Sequence, residues 1–103
     1  MDYKIETTSL ASEDLDEIVT YIAQELGNQP AAIAFLDEVD ACYEKLETMP
    51  FIYEECRNPK LKELKYRRAV IKHYVMVYRV DDVGKIVYIL RFFYGARDYE
   101  KLI

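Results

Sequence analysis

Glycine and proline are scarce in this chain, with three of each in 103 residues, and no stretch is of low complexity. That composition excludes fibrous repeats and disordered linkers, and it points to one compact domain over residues 1–103. No apolar run approaches the roughly 20 residues needed to cross a bilayer as a helix. A basic start followed by an apolar block is also missing, so no secretory signal is read and the cytosol is the expected compartment. There are two cysteines, Cys42 and Cys56, spaced neither as a redox pair nor as zinc ligands. Cys42 falls in a helical apolar stripe, where a thiol serves as a small hydrophobe. The single histidine, His73, sits where a turn is expected, and the carboxylates lie along helix faces without histidine partners. Neither a metal site nor a cofactor is expected from that pattern.

What the chain does have is charge, unevenly placed. Residues 1–56 carry 14 acidic and 2 basic side chains, whereas residues 57–103 carry 5 acidic and 12 basic ones. The net charge of −5 therefore hides one strongly acidic half and one basic half. Arg57, Lys60, Lys62, Lys65, Arg67, Arg68 and Lys72 follow one another with only Glu63 opposing them. From Tyr66 onward apolar and aromatic residues alternate through Val70, Tyr74, Met76, Tyr78 and Val80, the period of strands with one buried face. The expectation is a sheet whose presented face is cationic, for which phosphate-bearing targets are the first candidate. The plainer alternative is that two oppositely charged halves attract and solvate one another.

The remaining elements follow from periodicity. Residues 2–8 alternate as a short strand. Ser9 or Ser12 can cap a first helix over 9–26, with Glu13, Asp14, Asp16 and Glu17 near its positive end. Its stripe is Ala11, Leu15, Ile18, Val19, Ile22 and Leu26, and Gly27 can close it. Pro30 suits the first turn of a second helix over 30–49, whose stripe includes Phe35, Leu36, Val39, Cys42 and Leu46. Residues 50–63 read as a loop with room for one helical turn. Strands follow over 64–71, 74–80 and 86–93, with Gly84 placed where a hairpin needs positive φ. The last strand is apolar on both sides, as a central strand is. The result is an α+β fold of order β-αα-βββ, an antiparallel sheet with a helical hairpin on one face.

Four stretches in this order carry a resemblance: Ala11-x-x-Asp14-Leu15-x-x-Ile18-x-x-Tyr21-Ile22, then Leu46-x-x-x-Pro50, then Tyr74-x-x-x-Tyr78-Arg79-Val80, and Ile89-Leu90-Arg91 before Gly95-x-Arg97-Asp98. Over nearly the whole chain they resemble the RelE/ParE toxins of bacterial type II toxin–antitoxin modules, also called plasmid stabilisation proteins. The resemblance implies growth arrest by a toxin that a cognate antitoxin neutralises in a hetero-oligomer. It implies one of two targets: translated messenger RNA in the ribosome, cut by the RelE-like branch, or DNA gyrase, bound by the ParE-like branch.

Carried over residue by residue, the resemblance makes Arg97, Arg68 and Tyr99 the catalytic candidates of a messenger RNA endoribonuclease. Lys62, Lys65, Arg67, Arg68 and Arg97 become the cations that contact a target phosphate. The set is incomplete. Val75 follows Tyr74 where the ribonuclease branch has an arginine, Ile103 stands where it has its late tyrosine, and Tyr99 is off register. Cleavage through the 2′-hydroxyl needs an acid and a base as well as cations. Two full helices joined by a short link favour the gyrase-directed branch slightly, and so does the overall acidity. A module that binds partners without being toxic is a third reading. The antitoxin segment is expected to be a helix or added strand with acidic residues, docked on the sheet.

Overall fold

The computed structural model describes residues 2–95. It contains β1 (Lys4–Thr7), α1 (Ser9–Thr20) continued by a π-helical turn (Tyr21–Glu25), α2 (Gln29–Thr48), the short α3 (Pro59–Glu63), β2 (Arg67–Ile71), β3 (Tyr74–Asp81) and β4 (Ile86–Tyr94). The four strands form one sheet in the order β1-β4-β3-β2. β2, β3 and β4 run antiparallel as expected, but β1 lies parallel to β4, so the sheet is mixed. The helical pair between β1 and the meander carries the chain across the face, which is what lets β1 enter parallel at the edge. β4 is central, in keeping with its two apolar sides.

Both helices pack on one face. Ala11, Ile22, Phe35, Val39, Cys42 and Leu46 meet Ala69, Ile71, Tyr74, Met76, Tyr78, Val87, Ile89 and Phe92 in the main core. Leu15 and Ile18 pack against its rim, whereas Leu36 is only half-buried and Leu26 is exposed. Capping differs from the expected serines. The Thr8 hydroxyl accepts from Ala11 N at 3.2 Å, which moves the helix start back and leaves its first turn without acidic residues. Asn28 caps α2 by accepting from Ala31 N at 3.1 Å. Gly27 adopts φ +61 between the helices, as a helix-closing glycine does.

The opposite face departs from expectation. Between Tyr74 and Tyr78 every residue of β3 is buried, on both sides of the sheet. Val75, Val77 and Phe93 form a second cluster with Cys56 and Leu61, which the segment before β2 folds over them. Among the described residues, this part of the sheet is therefore covered and is not presented as a cationic face. The parity of β2 also changes across the hairpin: Ile71 pairs with Tyr74 and Ala69 with Met76, so odd positions of β2 share a face with even positions of β3. Val70, expected inside, is 62% exposed. Residues 64–66 precede the strand, because Lys65 turns the chain with φ 63. In the β3–β4 hairpin it is Lys85, not Gly84, that takes positive φ. A Cβ on Gly84 would lie 2.6 Å from Asp81 Oδ2, so the Asp81 side chain would have to move aside.

Candidate functional site

The cations singled out in sequence are dispersed by the fold. Lys62 lies on α3 and Lys65 in the turn after it, both exposed. Arg67 and Arg68 are adjacent strand residues, so their side chains leave opposite faces. The Arg67 guanidinium donates from Nη1 to Tyr53 O at 2.7 Å and lies 5.0 Å from the Phe51 ring centroid. Arg68 Nη2 meets Glu54 Oε1 at 2.5 Å, and Arg57 approaches the same carboxylate at 3.8 Å. Among the described residues, Arg68 Nε is buried without a hydrogen-bond partner. Arg97 and Tyr99 lie outside the described residues.

The phenols and thiols of the core are held protonated. Burial raises the Tyr53 pKa to about 12, helped by its contact with the Cys42 thiol at 3.6 Å. Tyr78 is pushed up chiefly by burial too, and its hydroxyl donates to Pro50 O at 2.9 Å. Burial raises both Cys42 and Cys56. Neither thiol has the electropositive, exposed setting of a nucleophile. His73 is exposed at the turn between β2 and β3. No three His, Cys, Asp or Glu side chains converge as metal ligands would among the described residues.

A contact that sequence reasoning did not pair joins two of the resemblance stretches. Asp14 on α1 accepts from Arg91 Nε at 2.7 Å, from Arg91 Nη2 at 3.2 Å and from Phe92 N at 3.0 Å. Tyr78 pairs with Ile89 and Val77 with Arg91, so Leu90 is left over as a bulge in β4. A bulge re-aims the side chain that follows it, here Arg91 toward α1. β1 ends opposite Ile89, and beyond it α1 covers the edge of β4. Thr8 Oγ1 donates to Leu90 O at 3.1 Å, and Asp14 takes the amide of Phe92. Asp14 and Arg91 are thus a fastening between helix and sheet.

Beside that fastening the described surface is concave. A cavity of about 500 Å³ is lined by Asp14, Glu17, Ile18, Tyr21, Tyr74, Phe92, Phe93 and Tyr94. A second, of about 320 Å³, lies between Tyr21, Leu26, Phe35, Lys72, His73, Tyr74 and Tyr94. Tyr21 and Tyr94 remain 48% and 66% exposed, although each is a large aromatic side chain. Individual alternation and stripe patterns could not reveal this site, since its walls come from three elements.

Residues 5–99 match the family described as the ParE toxin of the type II toxin–antitoxin system parDE. The chain belongs to the ParE toxin family. Its fold is shared with chains of three solved structures. A chain of the chromosomal ParDE system of P. aeruginosa superposes with a TM-score of 0.68 at 18% identity, covering 90% of this chain and 96% of that one. A chain of the RelBE2 toxin–antitoxin complex of Mycobacterium tuberculosis gives 0.62 at 24% identity, covering 91% and 99%. YafQ of E. coli gives 0.58 at 18% identity, covering 94% and 98%. No curated protein matches the sequence. The ParE-family toxin thus shares one scaffold with all three, and no described helix is long and apolar enough to cross a membrane.

Proposed function

We propose that this ParE-family chain arrests growth when free, that a cognate antitoxin silences it in a hetero-oligomer, and that its target is DNA gyrase rather than translated messenger RNA. The observation that carries the choice of target is the engagement of the groups RNA cleavage would use. Arg67 is taken up by the Tyr53 carbonyl and the Phe51 ring, and Arg68 by Glu54. Tyr53 and Tyr78, with raised pKa values, are poor general bases at neutral pH. Of the described candidates, Lys62 and Lys65 are the cations left to contact a target. The acidic excess of the chain also opposes approach to a polyanion such as the ribosome.

The test is induced expression, followed by mapping of messenger RNA ends and measurement of DNA supercoiling. The gyrase reading expects arrest, failed supercoiling, and no cleavage of translated messages in a purified translation system. Arg97→Ala should relieve arrest if phosphate contact is required, and Arg97→Lys should restore only part of it, because a point charge replaces a bidentate fork. Message cleavage that disappears with Arg97→Ala and Arg68→Ala would place the chain in the ribonuclease branch instead. Absence of arrest would mark a partner-binding, autoregulatory module.

A further inference from the structure

The cavity beside Asp14 and the second cavity share Tyr21, Tyr74 and Tyr94, so they adjoin as a groove across the end of the sheet. Its aromatic floor is preassembled. Tyr74 stands edge-on to Tyr94 at 5.4 Å between centroids and tilted against Phe35 at 5.1 Å. Tyr21 is placed by the π-helical turn, in which Leu26 N donates to Tyr21 O at 3.0 Å across one more residue than an α-helix spans. Such turns displace the side chains around them and recur at functional positions.

Charge is uneven along the rim. Glu13, Asp14, Asp16 and Glu17 project from this stretch of α1, and Arg91 is the cation that faces them from β4. Asp14 already neutralises Arg91 through two hydrogen bonds, so the remaining carboxylates are in surplus. A further concavity of about 340 Å³, lined by Asp16, Glu17, Thr20, Tyr21 and Glu25, extends this acidic margin on the other side of Tyr21. At the other end of the groove Lys72 pairs with Glu38 at 3.5 Å beside His73, so the acidic surplus belongs to the α1 side. An acidic margin over electron-rich aromatic faces is the surroundings a lysine or arginine side chain favours, by ion pairing and by cation–π attraction.

We propose that this groove seats an apolar segment of the antitoxin that carries a lysine or arginine beside its anchor. The anchor enters among Tyr21, Tyr74 and Tyr94, and the cation meets Glu17. The inference rests on the toxin–antitoxin reading above, and it reverses the expected chemistry of the contact. An acidic segment laid over Val75, Val77 and Phe93 would need the part of the sheet that Cys56 and Leu61 already cover.

The test uses the full chain and, as probe, the purified product of the gene adjacent to its own, with affinity measured by calorimetry. Glu17→Lys should weaken binding at least tenfold, Glu17→Gln less, and Tyr21→Ser comparably to Glu17→Lys. Both positions are exposed, so circular dichroism should be unchanged. The Glu17→Lys loss should shrink as salt is raised, because screening removes the attraction it reverses. Lys62→Glu with Lys65→Glu should leave affinity within twofold, and amide exchange in the complex should slow over 17–26 and 91–95. Wild-type binding that Glu17→Lys does not alter would overturn the groove assignment while leaving the toxin–antitoxin reading intact. No binding by the unaltered chain would instead remove that reading. A dimer of this chain abolished by Tyr21→Ser would make a second copy the occupant and overturn the proposal. So would protection over 17–26 that vanishes when the chain is ended after Gly95.

Discussion

Replacing Asp14 by alanine tests the fastening between α1 and β4. The substitution removes three hydrogen bonds at 2.7, 3.2 and 3.0 Å, and it strands the Arg91 guanidinium and the Phe92 amide together. The Asp14 side chain is 14% exposed and that of Arg91 30%, so water reaches part of the stranded cation and reduces the full penalty of an unpaired buried charge. Hydrogen bonds to charged groups contribute ~1.5–3 kcal/mol each before that screening, and their losses overlap because they share one carboxylate. The expected loss is ~2–3 kcal/mol. At the usual unfolding entropy per residue, a domain of this length loses roughly 5 °C in Tm per kcal/mol, so Tm should fall by about 10–15 °C. Urea titration and thermal melts followed by circular dichroism measure it. Asp14→Asn should lose less, since an amide oxygen still accepts from Phe92 N. In a double-mutant cycle, Asp14→Ala with Arg91→Leu should be less damaging than the sum of the single changes. A loss under ~0.5 kcal/mol for Asp14→Ala, the size of ordinary surface changes, or a cycle with no coupling, would refute the fastening.

Two further outcomes are expected. Phe35→Ala should cost ~3–5 kcal/mol, because Phe35 is 1% exposed and packs on Tyr74, whereas Leu36→Ala at the neighbouring half-buried position should cost ~1 kcal/mol; equal losses in urea titration would show that the face of α2 is misassigned. Stability should also decline at alkaline pH. In the folded chain Tyr53 keeps its proton up to about 12, and Tyr78 is likewise raised, while unfolded tyrosine loses it near ~10. Their contribution is therefore full below pH ~10 and is lost as the pH rises through about 12. Melts between pH 8 and 12 should show that decline, and Tyr78→Phe should shallow it while removing ~1–3 kcal/mol at neutral pH by leaving Pro50 O unpaired. A Tm that is level across this range would contradict the assignment.

Periodicity alone was enough for both helices, the three-stranded meander and the central place of β4, because each depends on contacts within a few residues. The stripe of α2 placed Phe35, Val39, Cys42 and Leu46 in the core, where they are found. The four resemblance stretches were enough for the family, since they preserve the order of the elements. Sequence could not place Val70, because which parity of β2 faces inward depends on how the two-residue turn pairs Ile71 with Tyr74. Nor could it foresee that Cys56 and Leu61 would close over the second face of the sheet, which dissolves the expected cationic surface. Arg67 and Arg68 looked like a pair because they are adjacent, yet adjacency in a strand sends them to opposite faces and different partners. Asp14 and Arg91 are 77 residues apart and meet where a bulge at Leu90 sets Arg91 beside α1. The groove at Tyr21, Tyr74 and Tyr94 has the same origin. Local pattern specifies each element through short-range sterics and burial, whereas a site assembled from several elements exists only once long-range packing sets their register.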